Sequence, residues 1–178
     1  MEIEILRLSH RLPRDERIST HVALVARAFG ASSITYTGQH DSGLEDSVKR
    51  ICDRWGGKAP AGHFSITYEK SAIPFIKRKK KEGFAIIHTT MYGLPVQEKL
   101  SELKQKKLLI VVGSEHVPGQ VYQLADLNIA VTSQPHSEVA ALAIILDRLM
   151  GGKELEPRDF GGKVHIVPSA RGKNVRQS

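Results

Sequence analysis

Leu108-Leu109-Ile110-Val111-Val112 is apolar at every position, without the alternation of a half-buried strand, and it ends on Gly113. Continuous apolar runs of this length mark strands covered on both faces, the habit of parallel sheets. Phe84-Ala85-Ile86-Ile87 has the same character, so both runs are expected as central strands. Outward from them, strand candidates at Ile3 to Leu8, Ile34 to Tyr36, Phe64 to Tyr68 and Asn128 to Thr132 alternate with helical stretches. That rhythm predicts an α/β fold, a parallel sheet flanked by helices.

Between Gly43 and Gly56, Leu44, Val48, Ile51, Cys52 and Trp55 recur at helical spacing, with Glu45, Asp46, Lys49 and Arg50 on the other side. Such a helix covers one sheet face. In Ser137 to Met150, Ser137 is a good N-cap, but Val139, Ala140, Leu142, Ala143, Ile144, Ile145, Leu146 and Leu149 leave little polar face. A second buried contact is implied there, and a dimer partner is expected to supply it. After Gly151-Gly152 the chain turns polar and glycine-rich. Only Val164 to Val167 resembles a strand, and a basic tail from Arg171 to Ser178 closes the sequence. The expected organisation is a domain over 1–150 with an appendage over 151–178.

The 178 residues carry 26 Lys and Arg against 19 Asp and Glu, a net charge of +7. That balance favours a polyanionic partner such as RNA, DNA or an acidic membrane surface, or it is simply a basic exterior. Cys52 is the only cysteine, which excludes an internal disulfide and a cysteine-cluster metal site. His10 and His21 lack the helical spacing of a zinc pair, so no metal is expected. Met1 to Ile5 lacks the pattern of a secretory signal, and the longest apolar run, Val139 to Leu146, is too short to span a bilayer. The expectation is a cytoplasmic protein with no membrane partner. Neither G-x-G-x-x-G nor the phosphate-loop pattern occurs, which weighs against a dinucleotide or NTPase assignment. The run Lys77 to Lys81 after Pro74 reads as the solvated side of a short helix or as an RNA-backbone contact.

Ligands of open α/β sheets bind outside the carboxyl ends of the strands. Three such ends stand out: His88 to Gly93, Gly113 to Pro118, and Thr132 to Glu138. Gly93 and Gly113 permit close backbone approach, Ser114 and Glu115 can bond a ribose or amino group, and N–H groups after Gln134 can hold polar ligand atoms. Taken singly, Gly113 only turns the chain, Ser137 only caps a helix and His136 only meets a carbonyl; their convergence makes the pocket.

The stretch Arg14 to Gly30 has a polar, cationic entrance followed by a helix that Ser19 or Thr20 can cap. Val22, Val25, Ala26 and Phe29 share one face, so Arg27 is expected off the local core, open to RNA, substrate, a partner or solvent.

Four motifs occur in order: Arg14-Asp15-x-Arg17-x-x-Thr20-His21-Val22-Ala23-Leu24-x-Ala26-Arg27-Ala28-Phe29-Gly30-Ala31, then Thr90-Met91-Tyr92-Gly93, then Val112-Gly113-x-Glu115-x-Val117-Pro118, then Gln134-Pro135-His136-Ser137-Glu138. With them the chain resembles the SPOUT superfamily of trefoil-knotted methyltransferases and, more closely, the archaeal tRNA cytidine-56 2'-O-methyltransferases. It departs from the closer pattern at Ser9 and Thr89. The resemblance implies a C-terminal trefoil knot holding S-adenosyl-L-methionine, a homodimer, and tRNA as substrate. It implies cofactor contacts from Thr89, from Gly113, Ser114, Glu115, His116 and Val117, and from Val131, Thr132, Ser133, Gln134, Pro135, His136, Ser137 and Glu138. It implies a catalytic Arg27, whose guanidinium is expected to position the ribose and stabilise charge rather than act as base, since it is normally protonated. Arg14, Arg17 and His21 are expected to meet RNA. A ribose methyltransferase acting at another RNA position and a non-catalytic RNA-binding protein remain as alternatives.

Overall fold

The computed structural model describes residues 1–60, 62–103, 107–113 and 116–177. In chain order the elements are β1 (Glu2–His10), α1 (Glu16–Ala28), β2 (Ser33–Gly38), α2 (Ser42–Trp55), β3 (Lys58–Ala59), β4 (Gly62–His63), β5 (Ser65–Tyr68) and α3 (Ala72–Lys81). Then come β6 (Ala85–Pro95), α4 (Val96–Lys99), β7 (Lys107–Val112), α5 (Gly119–Leu124), β8 (Leu127–Ala130), α6 (Glu138–Met150), a 3-10 turn (Lys153–Leu155), β9 (Val164–Ile166) and β10 (Val175–Gln177). Six strands form one parallel sheet in the order β5-β2-β1-β7-β6-β8, and β9 and β10 pair antiparallel outside it.

The run that began the reading is central: β7 lies between β1 and β6. Leu108, Ile110 and Val112 join one cluster with Val22, Ala26, Val48, Leu142 and Ile145 from α1, α2 and α6. Leu109 and Val111 point the other way, to Phe75, Ile76 and Val121 from α3 and α5. All five are fully buried, and each such side chain contributes about 1.5–3 kcal/mol by leaving water. Absence of alternation in the sequence is therefore the imprint of helices on both faces.

Three local expectations are corrected. α1 begins at Glu16, so Ser19 and Thr20 lie inside it and do not cap it. Instead Ser19 Oγ is 2.8 Å from His10 Nδ1, and Thr20 donates back to the Glu16 carbonyl. β6 runs on to Pro95, so Thr89 to Gly93 bulges from a strand rather than leaving it as a loop: the pairing with β8 shifts register between Thr89 and Leu94. β10 falls where a basic tail was expected, folding back on β9 through Val175 opposite Ile166. By contrast, α2 starts one residue before the expected span, where the Asp41 side chain accepts from Leu44 N at 3.0 Å, satisfying one of the free N–H groups of the first turn.

α6 has its expected cap, Ser137 accepting from Val139 N at 3.2 Å. Its second apolar face is covered largely by α1 of the same chain. Of its large apolar side chains Ile144 alone stays exposed. Among the described residues no helix is long and apolar enough to cross a membrane.

Candidate active site

In a parallel sheet all carboxyl ends share one edge. The ends of β6, β7 and β8 border a cavity of about 340 Å³ lined by His88 to Tyr92, Gly113, Val117, Tyr122, Ile129, Val131, Pro135, His136, Glu138 and Ala141. Its size suits a cofactor-sized ligand. Two glycines shape its walls: a Cβ on Gly93 would lie 2.6 Å from the Ile129 backbone, so its absence lets the β6 bulge close on β8, and one on Gly113 would lie 2.8 Å from Val117 Cγ2. Any side chain at either position would displace a wall.

Of the expected cofactor contacts, Thr89, Gly113, Val117, Val131, Pro135, His136 and Glu138 line this cavity. His116, Thr132, Ser133, Gln134 and Ser137 are exposed and are not among its walls. Thr132 and Ser137 are engaged in holding the turn and the helix start. Ser114 and Glu115 lie outside the described residues. The sequence reading missed Tyr122, Ile129 and Ala141, which arrive from the α5 and β8 side and the second turn of α6; nothing in their local spacing distinguishes a pocket wall from core.

The cavity rests on a cation that no motif or spacing singles out. Arg7, in β1, is 2% exposed. Its Nη2 is 2.7 Å from Glu138 Oε1, and its Nη1 donates to the Leu8 and Gly113 carbonyls at 2.9 Å each. One guanidinium thus ties the end of β1, the turn after β7 and the first residue of α6. Burial lowers the Arg7 pKa, opposed by Glu138. Burial also pushes the Glu138 carboxyl up, with the Arg7 charge pulling it back. For both partners desolvation outweighs their attraction, as is common for buried pairs.

His88 is completely buried. Its Nδ1 is 2.8 Å from Asn128 Oδ1, and Asn128 Nδ2 donates to the Tyr122 carbonyl at 3.0 Å. That second bond fixes the amide so that Oδ1 faces His88, which places the imidazole proton on Nδ1. Nε2 has no partner among the described residues, and burial holds the pKa below the ordinary histidine value. The wall here is a neutral acceptor, edge-on to Tyr122.

The expected catalytic residue is not brought to this cavity. α1 runs from the carboxyl edge of the sheet back to the amino edge, and Arg27 sits in its last turn. It is about 15 Å along the helix axis from Arg17. Nor is its guanidinium free: Nε donates to the Gly56 carbonyl at 2.7 Å, Nη2 donates to the Trp55 and Gly56 carbonyls, and the group stacks 4.8 Å from the Phe160 ring centre. Helical periodicity correctly put Arg27 off the α1 core face, but it could not show that the C-terminal segment returns to cover it. Arg14, in the turn before α1, and Arg17 and His21, on its first half, are exposed toward the carboxyl edge that also carries the cavity.

The cationic run on α3 is mostly spoken for. Arg78 pairs with Glu69 and Glu82, Lys79 with Glu4 and Glu82, and Lys80 with Asp126. The reading as a solvated helix side fits these local pairs better than a backbone contact.

A model of the family described as tRNA ribose 2'-O-methyltransferase, aTrm56, matches residues 55–176. The tRNA (cytidine(56)-2'-O)-methyltransferase of Nitrosopumilus maritimus is 47% identical over 177 residues, covering 99% of this chain and 97% of its own. That of Methanocaldococcus jannaschii is 49% identical, covering 98% and 96%. Among solved structures, the TrmH/SpoU tRNA modifying enzyme of A. aeolicus superposes with a TM-score of 0.62 at 16% identity, covering 87% of this chain and 77% of that one. The SpoU methyltransferase AviRb of Streptomyces viridochromogenes, solved in complex with AdoMet, gives 0.60 at 13% identity, covering 88% and 59%. These structural likenesses carry the fold: a six-stranded parallel α/β sheet of SpoU type.

Proposed function

The chain belongs to the aTrm56 family of tRNA ribose 2'-O-methyltransferases, and from that premise we propose that it methylates the 2'-hydroxyl of cytidine 56 in tRNA, with S-adenosyl-L-methionine bound in the cavity at the ends of β6, β7 and β8. The observation that supports the placement is convergence: residues from three motifs far apart in sequence, Thr89 to Tyr92, Gly113, and Pro135, His136 and Glu138, line one space.

The residues fit that cofactor. When bound, it supplies a methyl group activated on a sulfonium. Glu138 offers a carboxylate toward its positive charge, and Arg7 keeps that carboxylate at a fixed place rather than letting it turn out to solvent. Gly93 and Gly113 let the backbone approach, and apolar Val117, Ile129 and Val131 keep water from one wall. The hydroxyl must be held in line and must give up its proton. No Arg or Lys is among the cavity walls within the described residues, so positive charge for the ribose and its phosphate comes from the rim. Arg14, just before α1, and Arg17 and His21 on it are the RNA contacts of this reading. A catalytic part for Arg27 requires release from Gly56 and Phe160 and service in a second copy's cavity.

A homodimer, a trefoil knot formed by the passages through β6 to α6, and a catalytic unit over 1–150 with a C-terminal arm complete the proposal, in a cytoplasmic setting where tRNA is available. Exposed Tyr92, Leu94 and Ile144 support the dimer. The β7-between-β1-and-β6 order and the SpoU likeness support the knot. The test is transfer of labelled methyl to unmodified tRNA, followed by mapping. One ribose methyl at cytidine 56 is expected; transfer elsewhere, or none, would overturn the assignment. Sedimentation at working concentration checks the dimer, and a persistent monomer would refute it.

A further inference from the structure

Residues 160–177 carry four of the chain's cations, Lys163, Arg171, Lys173 and Arg176, and no carboxylate. They form the β9–β10 arm, whose base and tip differ sharply. The base is locked to the end of α2. Gly161 bridges Gly56, Lys58 N donates to the Phe160 carbonyl at 3.0 Å, and Lys163 N donates to the Arg54 carbonyl at 3.0 Å. Gly56 and Gly162 let the two backbones touch, and Arg27 grips the joint from below through the Gly56 carbonyl and the Phe160 ring. Beyond that joint every residue from Pro168 to Gln177 is exposed. β10 buries nothing, and Ile166 and Val175 face each other across the ribbon at 70% and 47% exposure.

A ribbon held rigidly at its root, presenting charge of one sign and burying none of its own apolar pair, is shaped to meet something outside the protomer. Two shallow grooves connect it to the carboxyl edge. The first runs between α1 and α2 past Arg17, Thr20 and Ser47 to Arg50; the second runs from Arg50 past Arg54 and Lys163 to Gln177. Arg50 borders both, so the two grooves meet at its side chain, and the α2 residues along them, Gly43 to Arg54, span about 16 Å. Glu16, Asp41 and Asp53 also border this track, so the four cations Arg17, Arg50, Arg54 and Lys163 exceed the carboxylates by one, and Asp41 is itself buried against His10.

We propose that this track and the β9–β10 arm form a second tRNA-docking surface, which takes the phosphodiester backbone of the same tRNA whose ribose enters the cavity. The inference rests on the methyltransferase reading for the identity of the RNA. It is carried by the charge and the geometry of the arm, which the cavity does not use. Such contacts position the substrate and read no sequence. They also release counterions, so each lost contact lowers the salt dependence of binding by roughly one unit of slope.

The experiment compares the wild-type chain with a triple variant, Arg171→Gln, Lys173→Gln and Arg176→Gln, by direct titration of tRNA across a salt series. Methyl transfer, cofactor affinity and sedimentation are measured separately. The variant is expected to bind tRNA at least about tenfold more weakly, with the salt slope reduced by about three units, while cofactor affinity and oligomeric state are retained. Unchanged tRNA affinity and slope would overturn the proposal. So would a variant that falls apart to monomers, since the arm would then be a contact between copies. A wild-type chain that binds tRNA through the arm but transfers no methyl would remove the enzyme reading and leave the docking surface standing.

Discussion

Replacing Arg7 by Met keeps a long, flexible side chain in the same space and removes three hydrogen-bonded contacts at once. The two carbonyls, Leu8 and Gly113, each lose a charged donor at 2.9 Å, and Glu138 loses its partner at 2.7 Å. Each carbonyl contact is worth about 1 kcal/mol. Stranding a carboxylate in a fully buried site costs about 3–5 kcal/mol, but the Glu138 side chain keeps 27% exposure and water recovers part of that, leaving about 2 kcal/mol. The sum is about 4 kcal/mol, or a fall in Tm of roughly 8–16 °C for a chain of this size. Because Gly113 forms a cavity wall, affinity for S-adenosyl-L-methionine should drop by about tenfold as well. Calorimetry gives both numbers, and the decisive comparison is a double-mutant cycle with Glu138→Gln. Neutralising both partners removes the stranded charge, so the double variant should be more stable than the two single losses added together. A double variant at or below that sum, or an Arg7→Met protein within about 2 °C of wild type, would refute the view that this ion pair holds the cavity together.

Arg27→Ala should cost about 2 kcal/mol through its two carbonyl partners and the Phe160 stack, raise the KM for tRNA by loosening the arm, and leave kcat within about threefold. Single-turnover rates at saturating tRNA that fall by about 10² or more would instead return Arg27 to the chemistry. For His88, burial holds the folded-state pKa below the unfolded value of 6.5. The unfolded chain therefore binds more protons as the pH drops below about 6.5, and stability is lost in that direction by at most about 1.4 kcal/mol per pH unit; urea titrations should show His88→Gln losing less over that range, and an identical pH profile would contradict the assignment. Gly93→Ala should weaken cofactor binding more than Gly113→Ala, because the first meets the Ile129 backbone and the second only the Val117 side chain. Equal affinities in isothermal titration would show that the bulge yields more readily than the geometry implies.

Much of this was legible in one dimension. Two-sided apolar runs at Leu108 to Val112 and Phe84 to Ile87 report helices on both faces, since each residue must be apolar when either side is covered. Helix phase follows from spacing in the same way, and the motif segments at Thr89, Gly113 and Glu138 could be named as pocket residues because strand ends in a parallel sheet share an edge. What the sequence settled by itself is therefore whatever depends on neighbours a few residues away. The Arg7 to Glu138 tie spans 131 positions, and the covering of Arg27 by Phe160 spans 133. A spacing rule cannot see either, because nothing in the local chain distinguishes an arginine aimed at substrate from one gripping a distant carbonyl. Only the tertiary structure decided that α1 carries Arg17 to the cavity's edge and Arg27 away from it: a helix returning from one strand to the next must cross the full depth of the sheet, so residues ten apart on it end on opposite sides of the molecule.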